Sequence, residues 1–208
     1  MSIKSILFNT DMVRAILDGR KTVTRRVAKF EKGFNEETEK VYPGKCSLCV
    51  GLFNDLNNIR VSKKPPYQPG DILYVRETWH KYIKRVGKGE SCHLAEFYGY
   101  KASVENSEDS NTPWKPSIHM PKQAARIWLK VTNVRVERLQ DITTDQIEAE
   151  GVEIENDYRP LNGEEKLYAF SQLWVGTVKE ADIDRYGWDS NPWVWVIEFE
   201  RCEKPIVQ

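Results

Sequence analysis

From Pro192 to Phe199 the chain reads Pro-Trp-Val-Trp-Val-Ile-Glu-Phe, with apolar side chains in both alternating sets of positions. Successive side chains of a strand point to opposite faces, so a run that is apolar on both must be covered on both. The segment therefore predicts a central strand, which in turn needs partner strands. Four other runs supply them. Ile6-Leu7-Phe8 is a short opening strand, and Lys21-Thr-Val-Thr-Arg-Arg-Val27 is β-branched and alternating. Ile72-Leu-Tyr-Val-Arg-Glu-Thr-Trp79 follows the turn Pro69-Gly70-Asp71, and residues 126–139 form a longer strand-like run. In the third of these, Leu73, Val75, Glu77 and Trp79 share one face, which carries Glu77 toward the interior or its mouth.

Short helices punctuate the strands. Asn9 or Thr10 caps a helix whose apolar residues Met12, Val13, Ile16 and Leu17 share a face, and Gly19 stops it. Thr143-Thr-Asp-Gln146 has the spacing of a capping box and opens a helix of one or two turns that ends at Gly151. Asn162 with Glu165 repeats that signature ahead of a longer helix, predicted to bury Leu167, Phe170, Leu173 and Trp174. Residues 28–66 and 84–117 are polar, mixed and rich in turn formers, and read as two irregular insertions. The expected class is α+β with a mainly β core, in a single domain over 1–208.

The chain has 208 residues, 40% hydrophobic and 30% charged, proportions of a globular rather than a disordered protein. No apolar run reaches the length of a bilayer span, and Met1-Ser2-Ile3-Lys4 lacks the apolar core of a signal peptide, so the expected setting is the cytoplasm with no membrane partner. Lys+Arg and Asp+Glu balance at 31 each, so the total charge selects no partner. Its distribution is uneven: Lys4, Arg14, Arg20, Lys21, Arg25, Arg26 and Lys29 crowd the first thirty positions, whereas 137–165 is dominated by acids. One basic segment on a neutral protein attracts a phosphate backbone locally; two solvated faces that pair with each other are the plainer alternative. Cys46-x-x-Cys49 has the spacing of a zinc knuckle, but only Cys92-His93 offers a second pair, and adjacent ligands suit a tetrahedral site poorly. No metal and no cofactor is assigned.

Four ordered segments carry a resemblance: Gly19-Arg-Lys-Thr-Val-Thr-Arg-Arg26, Pro69-Gly-Asp-Ile-Leu-Tyr-Val-Arg-Glu-Thr-Trp79, Pro116-Ser-Ile-His-Met-Pro121, and Asn191-Pro-Trp-Val-Trp-Val-Ile-Glu-Phe-Glu-Arg201, with Asp141 to Gly151 between them. In this order they resemble the ASCH family of the PUA-like superfamily, in particular its longer phage-associated members. The resemblance implies a small PUA-like β-barrel with flanking short helices, interrupted here by the two insertions, and a cleft for RNA or a modified nucleoside. A much shorter bacterial branch looks like an amidohydrolase of N4-acetylcytidine, with a Lys and a Thr in a G-R-K-T-x-T segment and a Glu after the short helix. The matching positions here are Lys21, Thr24 and Glu150. In that chemistry the Lys helps to deprotonate the Thr hydroxyl, which attacks the acyl carbon.

The residues themselves allow plainer roles. Arg20 and Lys21 follow a helix C-terminus, where cations are favoured whatever the function. Lys21 and Thr24 are three apart, so a regular strand would point them to opposite faces, and they meet only if the strand starts late or bulges. Glu150 lies in the last turn of its helix, where the dipole disfavours a carboxylate by about 0.3–1 kcal/mol. Arg25, Arg26 and Arg76 are candidate phosphate contacts, because guanidinium grips phosphate in a bidentate manner. Glu77 is placed to orient a basic residue, Trp79 to stack on a base, and His119, in a loop between proline turns, to hydrogen-bond a ligand. Three classes follow: a module binding RNA or a modified nucleoside through a basic rim, an amidohydrolase acting on acylated cytidine, and a phage-derived factor that binds a host protein.

Overall fold

The computed structural model describes residues 2–29, 42–45, 50–53, 61–103, 113–152 and 159–205. Among the described residues the strands fall in this order: β1 Ile3–Leu7, β2 Val23–Val27, β3 Tyr42–Lys45, β4 Val50–Phe53, β5 Val61–Lys63, β6 Ile72–Arg76, β7 Trp79–Val86, β8 His93–Tyr100, β9 Trp128–Arg138 and β10 Trp193–Cys202. The helices are α1 Thr10–Leu17, α2 Thr144–Ala149, α3 Gly163–Thr177 and α4 Ile183–Tyr186. Five strands form a mixed sheet in the order β1-β6-β9-β10-β2, β3-β4-β5 form a second sheet, and β7 and β8 a third. The class is α+β. Among the described residues no closed barrel is found. Nor is any helix there long and apolar enough to cross a membrane.

By contacts the chain divides into two compact units. The first comprises 1–19, 72–130 and 201–208. Within it β1 runs parallel to β6, and β6 pairs antiparallel with the start of β9 through Leu73 and Leu129. Asn9 caps α1 by accepting from the Met12 N–H at 2.9 Å, and Gly19, with φ of +76°, occupies the left-handed position after the helix. Ile72, Trp79, Met120, Ala124, Ala125 and Trp128 pack into one buried cluster.

The second unit comprises 20–71 and 131–200. Here β10 pairs antiparallel with β2, with Val196 opposite Arg25 and Trp195 opposite Arg26. Val194, Val196 and Ile197 are buried, so the doubly apolar run is interior as expected. Helix α2 opens on a complete capping box between Thr143 and Gln146, and α3 on one between Asn162 and Glu165. Helix α3 lays Phe170 and Trp174 on Val23, Leu139, Ile142, Ile147, Val194 and Val196. Leu173, expected in that core, is 39% exposed, because it falls to the side of the stripe defined by residues 167, 170, 171 and 174.

Three expectations are corrected. The run from Ile72 to Trp79 is not one strand: β6 stops at Arg76, Glu77 turns inward, and β7 begins at Trp79. The segment 84–117 is not wholly irregular, since His93–Tyr100 pairs residue for residue with β7. Both faces of that hairpin's tip are exposed, so no alternation of apolar and polar residues marked it. The stretch 28–66 contains the β3-β4-β5 sheet, with Gly44 opposite Gly51; Cys46 and Cys49 lie outside the described residues.

Gly99 shows how the hairpin is built. His80, opposite it in the register, is buried and stacks on Trp114 at 4.5 Å between centroids. A Cβ on residue 99 would collide with the His80 imidazole. Gly99→Ala is therefore expected to destabilise the protein by about 1–3 kcal/mol, read as a lower urea midpoint at unchanged m-value. A variant as stable as the parent would show that the ring has room to move.

Candidate functional site

Strand β2 starts late, at Val23, which leaves Lys21 before the strand and free of its alternation. Lys21 instead forms an isolated antiparallel bridge with Glu150, and the Thr22 N–H donates to Ala149 O at 2.9 Å. The end of α2 is thereby fastened to the entry of β2. Glu150 is the C-cap residue of α2, and Gly151 follows with φ of +72°.

The Lys21 side chain is fully buried and that of Glu150 is 7% exposed. Lys21 Nζ donates to Glu150 Oε2 at 2.6 Å, to Glu150 O at 2.8 Å and to Val23 O at 2.8 Å. These three acceptors match the three protons of an ammonium. Glu150 Oε1 accepts from Arg25 Nη1 at 3.1 Å, while Arg25 Nη2 donates to Glu137 Oε1 at 2.8 Å and to Gln146 Oε1 at 2.7 Å. Glu137 Oε2 accepts in turn from Arg135 Nε at 3.1 Å, and Arg135 also pairs with Glu198. The chain of charges alternates in sign throughout. That alternation is what allows charged groups to remain so far from water.

Burial lowers the pKa of Lys21, opposed by the charge and hydrogen bond of Glu150 beside it; Arg26 and Arg25 push it further down. Burial also lowers Arg26, opposed by Tyr67 and Glu150, and raises Tyr67.

The structure thus brings together Lys21, Arg25 and Glu150 among the residues singled out from the sequence, and keeps Arg26 within electrostatic reach. Arg20 Nη1 donates to Gly151 O at 3.4 Å, beside the same helix end. Thr24 is buried on β2, and among the described residues none of the hydrogen bonds of Lys21 reaches its hydroxyl.

Glu77 does not orient Lys21. It is 1% exposed and held by Arg126, Nε to Oε1 and Nη2 to Oε2, both at 2.9 Å, in the two-pronged geometry of a guanidinium–carboxylate pair. Arg126 also donates to Ser103 Oγ and lies 4.1 Å from the Tyr100 ring centre. Trp79, expected as a stacking surface for a base, is a core residue packed on Tyr98 at 5.8 Å. Arg76 is half-buried, and its Nε finds no acceptor among the described residues. His119 is exposed at the end of a single 3-10 turn, Ser117–His119.

A cavity of about 340 Å³ lies in the second unit beside this network. Neither Lys21 nor Glu150 lines it, so the expected rim of paired cations and acids is instead packed interior. The lining includes Arg25, Arg26 and Val27 from β2, Lys29 just beyond it, Trp174 from α3, and Lys179, Asp182 and Tyr186. Lys29 Nζ is 3.7 Å from Asp182 and 5.1 Å from the Tyr186 ring centre, and Trp174 Nε1 donates to Tyr186 O at 2.8 Å. As site residues, Glu137, Gln146, Lys179, Trp174 and Tyr186 escaped the sequence reading, which saw Gln146 as part of a capping box and Trp174 as part of the apolar face of α3. Among the described residues no group of three or more His, Cys, Asp or Glu is arranged to hold a metal ion.

Comparison with known protein families, curated proteins and solved structures yields no match to this chain.

Removing the carboxylate should reveal what it holds. Glu150→Ala leaves Lys21 buried without its counter-ion and Arg25 with one partner fewer, an expected loss of about 3–5 kcal/mol at neutral pH. The folded chain then holds the Lys21 proton still less tightly than the unfolded chain does. Between the depressed folded value and the unfolded 10.5, the unfolded state binds more protons, so stability rises with pH. The deficit of Glu150→Ala should therefore shrink as pH climbs toward 10.5. A deficit in urea denaturation that stays constant over that range would show that Lys21 is not the group left stranded.

Proposed function

We propose that this chain is an ASCH-type, PUA-like domain that binds RNA or a modified nucleoside through the basic cleft of its second unit. One observation carries the reading: four cations, Arg25, Arg26, Lys29 and Lys179, line a cavity of nucleoside size against the single carboxylate of Asp182, with Trp174 and Tyr186 beside them. Guanidinium and ammonium groups meet phosphate, and aromatic surfaces take the face of a base. On a chain with 31 charges of each sign, such local concentration is what draws a polyanion. Arg25 gives this cleft a rigid wall, because Glu150, Glu137 and Gln146 fix its guanidinium. The sequence resemblance to the ASCH family points to the same class of ligand.

The reading predicts that affinity for single-stranded RNA falls steeply with salt, by a log–log slope of about −0.7 for each phosphate neutralised. Lys179→Ala should weaken binding and flatten that slope by about one such contact. Fluorescence anisotropy across a salt series measures both. Absent binding, or binding indifferent to salt, would remove the proposal.

The contact between Lys21 and Glu150 at 2.6 Å also supports a second reading, the amidohydrolase. Burial lowers the pKa of its lysine, the direction a base needs, but among the described residues its ammonium donates to Val23 O and Glu150 rather than to Thr24. This reading predicts acetate release from N4-acetylcytidine that Thr24→Ala abolishes. No turnover at high protein concentration would leave the binding module alone.

A further inference from the structure

The cleft has features that a groove for a continuous RNA strand does not need. Its volume of about 340 Å³ lies at the low end of the roughly 300–1,000 Å³ of small-molecule sites. That is room for one nucleotide and not for a run of them. With Arg25 already balanced by Glu150 and Glu137, its lining sets Arg26, Lys29 and Lys179 against Asp182, a formal excess of two positive charges. An internal phosphodiester brings one negative charge, whereas a phosphate monoester brings about 1.5 to 2 at neutral pH.

The wall formed by β2 adds a second feature. Among the described residues this strand is the last in its sheet, with β10 on one side only. The Ala28 N–H donates to Trp193 O, and Thr22 O accepts from the Phe199 N–H, so the even-numbered residues of β2 bond to β10. The odd-numbered residues point their peptide groups away from β10. Of these, Val23 O accepts from Lys21 Nζ and Val27 O from the Lys29 N–H. By the same alternation the N–H and C=O of Arg25 point away from β10, a donor and an acceptor side by side on a buried residue that lines the cleft. A base edge offers the complementary pair. The Arg25 side chain contributes one more donor, because its Nε is buried with no acceptor among the described residues while Nη1 and Nη2 are held by acids and an amide.

Resting on the nucleic-acid reading above, we infer that the ligand of this cleft is a single nucleotide bearing a phosphate monoester, either free or at the end of an RNA. Lys29 and Lys179, the exposed cations of the lining, meet the phosphate, and the edge peptide groups of Arg25 meet the base.

The experiment compares four probes on the intact chain by titration calorimetry: nucleoside monophosphates, and one short single-stranded RNA bearing a 5′-phosphate, a 3′-phosphate or hydroxyls at both ends. At least tenfold tighter binding of a phosphorylated probe than of the hydroxyl-ended RNA is expected. Lys29→Ala combined with Lys179→Ala should abolish that preference. Both positions are exposed, so the double variant keeps the fold, which circular dichroism checks. Tight binding of free monophosphates identifies a nucleotide pocket, and tight binding of phosphorylated RNA alone identifies a terminus reader; either supports the inference. Equal affinity for phosphorylated and hydroxyl-ended RNA overturns it while leaving RNA binding in place. Failure of all four probes removes both this inference and the reading beneath it.

Discussion

Glu150 occupies a position that its own helix disfavours. The carbonyl end of α2 repels a carboxylate, and burial removes the water that would screen it. Lys21 and Arg25 reverse the balance from the other side, one carboxylate oxygen to each. Because both cations belong to the segment that enters and forms β2, this ionic contact also joins α2 to the sheet. The backbone bond from the Thr22 N–H to Ala149 O runs alongside it.

The consequences spread outward along β2. With Arg25 gripped by Glu150, Glu137 and Gln146, the strand carries a fixed guanidinium that also lines the cleft. The basic cleft is thus a product of the buried network rather than a neighbour of it. Lys21 serves it indirectly: Val23 O accepts a hydrogen bond from its ammonium, which leaves Arg25 as the next peptide group of β2 turned away from β10. Paired charges in the interior set the geometry, and the cations Lys29 and Lys179 lie exposed at the surface.

The first unit repeats the theme with different partners. Glu77 is buried at the break between β6 and β7, and Arg126 answers both of its oxygens. The alternation of the run from Ile72 to Trp79 already pointed this carboxylate inward. Its partner was not legible, because Arg126 lies 49 positions away and nothing local marks it. Trp79 illustrates the opposite failure. Its place on the same face was read as a base platform, but packing against Tyr98, Trp128 and the Met120 cluster claims it for the core.

Elements whose signals are local were written in the chain. The capping boxes at Thr143 and Asn162, the glycine stops at 19 and 151, and the doubly apolar strand before Phe199 each depend on neighbours within a few residues. The late start of β2, the turn at Glu77 and the pairing of His93–Tyr100 with β7 depended on contacts that only folding creates. The same division holds for the site. Sequence alone determined which residues carry charge and, through the alternation of β2, why Lys21 and Thr24 would not meet on a regular strand. Tertiary structure decided that Lys21 and Glu150 belong to the interior, and that Arg25, Lys29, Lys179, Trp174 and Tyr186 share a cleft. The physical reason is one of range: backbone propensity acts over a turn of helix, whereas ion pairs and cavities join residues more than a hundred positions apart.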